Sequence, residues 1–136
     1  MWAQGFMSAI EMIPYGAAAM GEIDQVGQRL KGREGDNEAW CDEWSKMAEK
    51  MERRATEAAA ANHALNAGTY YLHAWTYYGY GERFLHLGDK KIAVYKKSLA
   101  CFSEGIKRRY PNIERVEVPY EGRMLPAWFM KANNTI

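Results

Sequence analysis

Hydrophobic residues recur at helical spacing over most of the chain and at strand spacing near its C-terminal end. Residues 1 to 21 predict a loose segment with one helical turn around Phe6 to Met12, and a short helix follows from Glu22 to Leu30. Asp36 or Asn37 can cap the next helix, which we expect to run to about Asn66. Its apolar stripe is Trp40, Trp44, Met47, Met51, Ala55 and Ala58.

Gly68 is predicted to separate that helix from the most aromatic part of the chain. The aromatic residues fall on every side of the predicted helix: Tyr71, Trp75 and Tyr78 on one face, and Tyr70, Ala74, Tyr77 and Phe84 on another. A helix that is apolar all round is normally enclosed by neighbours, so we place this one at the centre of a helical array. Gly79 and Gly81 predict close backbone approach or a bend, because glycine costs about 1 kcal/mol against alanine within a helix.

The last helical pattern is the clearest amphipathic one. Its apolar stripe repeats at spacings of three and four, with lysines mostly on the outside: Ile92, Tyr95, Leu99, Phe102 and Ile106. Pro111 ends this helix, because proline has no amide donor and clashes with the preceding turn.

Two strands follow from Glu114 to Met130, with Glu121, Gly122 and Arg123 as the turn and Pro126 indicating an edge or a strand start. An isolated hairpin is marginal in water, so we expect these strands to join a sheet that the chain does not contain and the chain to be the front part of something larger. The predicted fold class is mainly α, with about four helices over residues 1–112 and a β-hairpin over residues 113–136.

Composition excludes some functional classes but does not indicate a particular reaction. The chain has 18 basic and 17 acidic residues, and its net charge of +1 gives no bulk attraction to nucleic acid or to an anionic membrane. The first residues lack the basic flank of a signal peptide, and no uncharged run approaches the roughly 18 residues that suggest a membrane span. We therefore expect a cytoplasmic protein, in which Cys41 and Cys101 are buried free thiols.

Catalytic and metal-binding motifs are missing from the sequence. It has no GxSxG, no glycine-rich phosphate loop, no HExxH and no Cys and His cluster at metal spacing, so we predict no catalytic residue, metal or cofactor. His63 and His86 fit solvated residues near helix ends, whereas His73 fits either a core histidine or a substrate contact. The tyrosines between Tyr70 and Tyr80 are either core residues or the wall of a pocket for an aromatic, oxygenated ligand.

A series of short motifs from about Pro14 to Met130 resembles the N-terminal region of a group of α/β-hydrolases. The group comprises FrsA-like esterases, 2,6-dihydroxypseudooxynicotine hydrolase and fungal heptaketide-shortening hydrolases. The motifs are, in order, Tyr15-Gly16, Gly21-Glu22-Ile23, Asp36 with Trp40 and Trp44, Tyr71-Leu72-His73-Ala74, Tyr77-Tyr78 with Glu82 and Phe84-Leu85, and Val116 to Gly122 with Leu125-Pro126. His73 and Gly79 depart from this resemblance, since arginine is common at both places.

The resemblance implies a helical lid over the hydrolase core, followed by the hairpin that begins the central sheet. The nucleophilic serine, its acid and its histidine follow the hairpin in that group, so no catalytic residue is carried over. We expect the lid to close over an aromatic or polyketide-like substrate during ester or C–C bond hydrolysis. The candidate substrate-binding residues are Tyr71, His73, Trp75, Tyr77 and Tyr78. The expected partners are the rest of the hydrolase core and the small aromatic substrate.

Two other classes stay open. Paired helices with a Tyr-Leu-x-Ala pattern are similar to tetratricopeptide-like interaction modules, although no convincing repeat of about 34 residues is found. A self-contained helical protein that binds a small molecule is the second alternative, with the hairpin as an appendage or as the strand pair of a homodimer.

Overall fold

The computed structural model describes residues 2–132, which form five α-helices, a short 3-10 helix and a β-hairpin. The elements are α1 (Trp2–Ile10), the 3-10 helix (Ile13–Tyr15), α2 (Met20–Leu30), α3 (Asn37–Ala60), α4 (Ala64–Glu82), α5 (Asp89–Arg109), β1 (Ile113–Tyr120) and β2 (Arg123–Met130). The mainly α class with a hairpin after the helices is confirmed. The predicted hairpin region reaches residue 136, and its last four residues lie outside the described range.

The expected count of four helices was wrong because the N-terminal segment is ordered by packing. The rings of Trp2 and Phe6 lie 5.1 and 5.0 Å from the ring of Trp40, measured between centroids. Gly5 lies between them on α1, where an added Cβ would come within 2.9 Å of the Trp40 ring. The aromatic residues of α1 thus turn a segment expected to be loose into a helix that covers α3.

The boundary between α3 and α4 also differs from the expectation. The Asp36 carboxylate caps α3 by accepting a hydrogen bond of 2.9 Å from the Ala39 amide. The helix ends at Ala60 instead of Asn66, because Asn62 adopts a left-handed conformation with φ of 60°. Gly68, expected to separate the helices, lies inside α4.

The three long helices pack side by side, with α4 between α3 and α5. The predicted stripe of α3 is buried from Trp40 to Ala55, and α4 is enclosed as expected, with Tyr77 and Tyr78 fully buried. Ion pairs join α3 to α5: Lys90 with Glu38 and Asp42, and Lys97 with Glu49. The order of these pairs shows that the two helices run in the same direction.

Glycines let α4 approach both neighbours closely. An added Cβ on Gly68 would lie 2.6 Å from Arg109 Cγ, and one on Gly105 would lie 2.7 Å from Leu72 Cγ and 3.2 Å from the Gly68 carbonyl oxygen. On the opposite side, a Cβ on Gly81 would lie 3.2 Å from Trp44 Cβ. The close approach predicted at Gly81 is therefore confirmed, and the α4–α5 contact through Gly68 and Gly105 is a second one.

The orientation of α5 overturns the expectation drawn from its apolar pattern for the first three residues of the stripe, whereas Phe102 and Ile106 pack against the core. Ser98, Cys101, Gly105 and Ile106 are the residues that α5 buries, whereas Ile92, Tyr95 and Leu99 of the predicted stripe are exposed. The face with the small residues lies about 100° from the stripe. The small side chains face α4 because close packing there excludes larger ones. The N-terminal part of the apolar stripe therefore lies on the surface.

The hairpin is regular and pairs Ile113 with Met130 at one end and Tyr120 with Arg123 at the other. Its turn consists of Glu121 and Gly122, both with positive φ, which is the conformation of a type I′ turn. Within residues 2–132, β1 and β2 pair with no other strand. Both faces of the hairpin carry exposed apolar side chains: Val118, Tyr120, Met124, Leu125, Trp128, Phe129 and Met130.

Two smaller expectations concern the cysteines and membrane-spanning helices. Cys41 and Cys101 are buried and unpaired, as predicted. Between residues 2 and 132 the structure contains no helix with the length and apolar character needed to cross a membrane. The division into domains at residue 112 stays a prediction, although β1 begins at Ile113.

Substitution of Gly105 by alanine tests the close contact between α4 and α5. The added methyl group meets buried Leu72, so we expect Gly105→Ala to lower the free energy of unfolding by about 1–3 kcal/mol through overpacking, despite the better helix propensity of alanine. Gly27→Ala is the control, because its Cβ meets Phe6 at an ordinary 3.7 Å and should stabilise α2 by about 0.5–1 kcal/mol. Urea denaturation of both variants measures these changes in the free energy of unfolding. If Gly105→Ala stabilised the protein as much as Gly27→Ala does, the close contact between α4 and α5 would be contradicted.

Candidate functional site

The five predicted substrate-binding residues all lie on α4, but the structure does not bring them to one pocket. Tyr71 is half-buried, and the Arg108 guanidinium carbon lies 5.0 Å from the centre of its ring. Trp75 packs on Phe102 of α5, with 4.8 Å between ring centroids. His73, Tyr77 and Tyr78 are buried and have polar partners within the chain.

His73 and Tyr77 share one carboxylate on α2. Glu22 Oε2 lies 2.7 Å from His73 Nδ1 and accepts a hydrogen bond of 2.6 Å from the Tyr77 hydroxyl. The same hydroxyl accepts a hydrogen bond of 3.0 Å from the Ala19 amide, immediately before α2. Arg54 of α3 lies 3.9 Å from the other oxygen of Glu22. This polar network fixes the start of α2 on α4 and gives His73 the contact expected of a core histidine.

The electrostatics of the network favour an ionised carboxylate. Burial by itself would raise the pKa of Glu22, but the hydrogen bonds with His73 and Tyr77 and the charge of Arg54 together lower it below its ordinary value of 4.5. Burial, together with the neighbouring Glu22 charge, raises the pKa of Tyr77, so this phenol stays protonated and acts as a donor. These two groups are therefore suited to holding helices together and not to exchanging protons near neutral pH.

Tyr78 is hydrogen-bonded to a different helix from Tyr77. Its hydroxyl donates a hydrogen bond of 2.9 Å to Glu52 of α3, and the Lys97 ammonium lies 5.4 Å from the centre of its ring. Burial and the Glu52 carboxylate raise its pKa. The substrate contacts predicted for Tyr71, His73, Trp75, Tyr77 and Tyr78 stay predictions, and Trp75 is the one of the five that borders an apolar groove.

That groove lies between Met12, which follows α1, and the C-terminal half of α4. It has a volume of about 170 Å³ and is lined by Met12, Trp75, Thr76, Gly79 and Tyr80. The Thr76 side chain is buried, and its hydroxyl oxygen has no hydrogen-bond partner among the residues that the structure describes. We call this site the Trp75 groove.

A second candidate is a surface that spans α5 and the hairpin. Phe102 follows the exposed residues of the α5 stripe and is itself half-buried, and its ring lies 5.3 Å from that of Trp128 on β2. The members of this surface, called here the α5–hairpin surface, are Ile92, Tyr95, Leu99, Phe102 and Trp128. The register places Met124, Pro126 and Met130 on the same hairpin face as Trp128.

Sequence reasoning missed several members of these sites. Glu22 lies 51 residues before His73, and no local pattern connects an acid on one helix with a histidine on another. Met12 joins the groove only because the segment after α1 packs against α4, whereas Tyr80 is one of the tyrosines that the sequence indicated as a possible pocket wall. Thr76 was not singled out among its aromatic neighbours, although a threonine inside a predicted core helix is a signal that could have indicated it.

Comparison with known proteins assigns no family. No family model matches the chain, and no curated protein matches it. Across residues 2–132, no three His, Cys, Asp or Glu side chains lie close enough together to hold a metal ion.

The Glu22 network predicts a stability loss in acid. Because the folded-state pKa of Glu22 lies below its ordinary value of 4.5, its contribution is complete above that pH and is lost as the pH falls through the lower folded-state value. Glu22→Gln should cost about 1–3 kcal/mol at pH 7 and should lose less stability than the wild type between pH 5 and pH 3.

Urea denaturation at pH 7, 5 and 3 measures this difference. Asp24→Asn is the matched control on α2, because Asp24 is exposed and its hydrogen bond is to Gln28 on the same helix. Parallel pH profiles for the wild type and Glu22→Gln would show that the carboxylate does not stabilise the fold by its charge.

Proposed function

We propose that this chain is the helical cap and first hairpin of a serine-dependent α/β-hydrolase. The cap closes over an aromatic or polyketide-like acyl compound while the enzyme hydrolyses an ester or a C–C bond. The catalytic serine, histidine, acid and oxyanion donors come from residues outside the described range, on the same polypeptide or on a second one. The cytoplasm is the proposed location.

The observation that carries the proposal is the hairpin with unpaired strand edges beside the α5–hairpin surface. Both outer edges of β1 and β2 present backbone groups that no other strand among residues 2–132 binds. Contiguous exposed apolar residues on a stable protein usually mark an interaction site. Here they lie next to strands that need partners, with Trp128 belonging to both features.

The two features together define what the partner must offer. It must supply at least one β-strand to extend the hairpin, and it must cover an apolar helix face directly beside that strand. A twisted sheet with helices packed on its faces meets both requirements, and this is the arrangement of an α/β-hydrolase core. A helical interaction module would leave the strand edges unexplained.

The chemical role that we assign to the helices is enclosure. A cap that covers the site excludes bulk water, strengthens the electrostatic interactions at the reacting carbonyl and holds the substrate in one orientation. None of the helices has to take part in proton transfer, which agrees with the protonated Tyr77 and the ionised Glu22 at their centre.

A fluorophosphonate probe tests this proposal, because it reacts covalently with activated serine nucleophiles. An antibody against residues 2–60 is used to isolate the natural protein or complex that contains this chain. We expect the probe to label a serine outside residues 1–136 and to leave the purified 136-residue chain unlabelled. Absence of any labelled serine in the isolated complex, or esterase activity of the purified chain alone, would contradict the proposal.

Variants on α5 test whether the α5–hairpin surface contacts the catalytic part. Leu99→Lys introduces a charge on an exposed apolar residue, so we expect less than about 0.5 kcal/mol change in the stability of the chain itself. It should abolish association with the catalytic part or inactivate the natural enzyme, because the contact would bury the new charge. Ala100→Lys is the control, as Ala100 lies about a quarter turn away, towards the lysine-bearing face.

Co-precipitation and probe labelling of both variants give the readout. If the probe labelled the serine normally in the Leu99→Lys variant, the α5–hairpin surface would not be the contact with the catalytic part. Gel filtration of the wild-type chain, eluting as a monomer with a cooperative melt and no associated hydrolase, would favour a self-contained helical binding protein instead.

A further inference from the structure

The helical half of the α5–hairpin surface has the geometry of one side of a coiled coil. Five apolar residues of α5 recur at alternating spacings of three and four, which correspond to the a and d positions of a heptad: Ile92, Tyr95, Leu99, Phe102 and Ile106. On a regular helix they span about 80°, which is narrower than the stripe of about 100° that usually faces a protein core. The first three are 41, 50 and 46% exposed, so this part of the seam is open to one neighbouring helix.

The charges around this seam are mostly positive. Residues 89–136 contain ten basic and five acidic residues, whereas residues 1–88 contain eight basic and twelve acidic ones. Within α5 alone, seven basic residues stand against two acidic residues. The net charge of +1 therefore hides an uneven distribution, in which α5 is strongly basic. A partner that packs along α5 is complementary to it only if its own charges are mostly negative.

Lys96 is the basic residue best placed to contact such a partner. It follows Tyr95 directly and so occupies the e position of the heptad, from which side chains form ion pairs between helices. Lys90, Lys91 and Lys97 are paired with acidic residues of α3 and α4. Lys96 is exposed and makes no ion pair within residues 2–132, so its charge is free for a partner.

The C-terminal end of the seam leads into a cleft between α5 and the hairpin. This cleft has a volume of about 440 Å³, and its lining includes Ser103 and Lys107 of α5 and Trp128 of β2. Lys107 is exposed, and no acidic side chain between residues 2 and 132 forms an ion pair with it. A helix lying along the seam therefore meets a second positive charge where it reaches the hairpin.

A second copy of this chain does not supply the required helix. Two α5 helices side by side would bring like charges together, and α3, which has more acidic than basic residues, buries its own apolar stripe from Trp40 to Ala55. An anionic membrane also fits less well, because a membrane-surface helix buries a whole apolar face, whereas the open seam consists of three residues. An acidic helix of another polypeptide segment meets both requirements.

We propose that the α5–hairpin surface binds an amphipathic α-helix whose apolar side packs on Ile92, Tyr95 and Leu99 and whose flanking acidic residues pair with Lys96 and Lys107. This inference rests on the proposed function for one point only, which is that the bound helix belongs to the catalytic part of the enzyme. Binding of an acidic helix is a property of the chain itself and is measured without the catalytic part.

Two synthetic peptides of three heptads are suitable probes. Both carry leucine at a and d, but one has glutamate and the other lysine at e and g, so like charges oppose self-association of either peptide. Fluorescence anisotropy of the labelled peptides is measured during titration with the 136-residue chain. The glutamate peptide should bind saturably, and the lysine peptide should bind at least about tenfold more weakly. In two-dimensional NMR of the ¹⁵N-labelled chain, the shifts should concentrate at residues 91–107.

Variants of the chain identify the contact. Lys96→Glu should weaken binding of the glutamate peptide about fivefold and strengthen binding of the lysine peptide by a similar factor, because it reverses one ion pair. Lys31→Glu is the matched control, since Lys31 is exposed at the end of α2. Leu99→Lys should abolish binding of the glutamate peptide, whereas Ala100→Lys should not weaken it. All four substituted residues are exposed, so the melting temperatures should change little.

Equal affinity for the two peptides, or no saturable binding of the glutamate peptide, would overturn the inference. Binding to vesicles of phosphatidylserine and phosphatidylcholine in place of the glutamate peptide would also overturn it and would assign the surface to a membrane. Peptide binding without any labelled serine in the natural complex would remove the hydrolase proposal alone. A labelled serine without peptide binding would remove this inference alone.

Discussion

Close approach of α4 and α5 at Gly68 and Gly105 sets the shape of the rest of the molecule. At this separation the face of α5 towards α4 can carry only small residues, and Ser98, Cys101 and Gly105 occupy it. Ile92, Tyr95 and Leu99 are consequently turned about 100° away from α4, onto the surface of the molecule. The contact between Gly68 and Gly105 thereby determines which side chains lie between α4 and α5 and which side chains of α5 stay exposed to a partner.

The second organising contact is polar and acts on the other side of α4. Glu22 binds His73 and Tyr77 at distances below 3 Å, and these bonds hold the start of α2 against the central helix. Since α1 and the 3-10 helix lie directly before α2, their position depends on the same carboxylate. Met12, which forms the outer wall of the Trp75 groove, lies in this part of the chain, so the partly buried Glu22 carboxylate also affects the shape of the groove.

The sequence allowed prediction of what depends on local patterns. The cap at Asp36, the stripe from Trp40 to Ala55, the enclosed helix and the hairpin all follow from spacing or composition, and the structure contains them. Hydropathy did not predict that Ile92, Tyr95 and Leu99 of α5 are exposed, because it cannot show where close packing against a neighbouring helix admits only small residues. It also gave no indication of the pairing of Glu22 with His73, which depends on how two distant helices cross.

The prolines of the hairpin have a consequence for how its sheet can grow. In a hairpin with a two-residue turn, the residues on either side of the turn, here Tyr120 and Arg123, bond to each other through their backbone groups. Along each strand, every second residue from there directs its backbone nitrogen to the outer edge, and Pro119 and Pro126 are among these residues. Proline lacks an amide hydrogen, and each outer edge therefore loses one donor near the turn. An added strand can therefore accept hydrogen bonds from every outward amide only at the opposite end of the hairpin, beside α5. This restricts the register in which a neighbouring strand can pair with it.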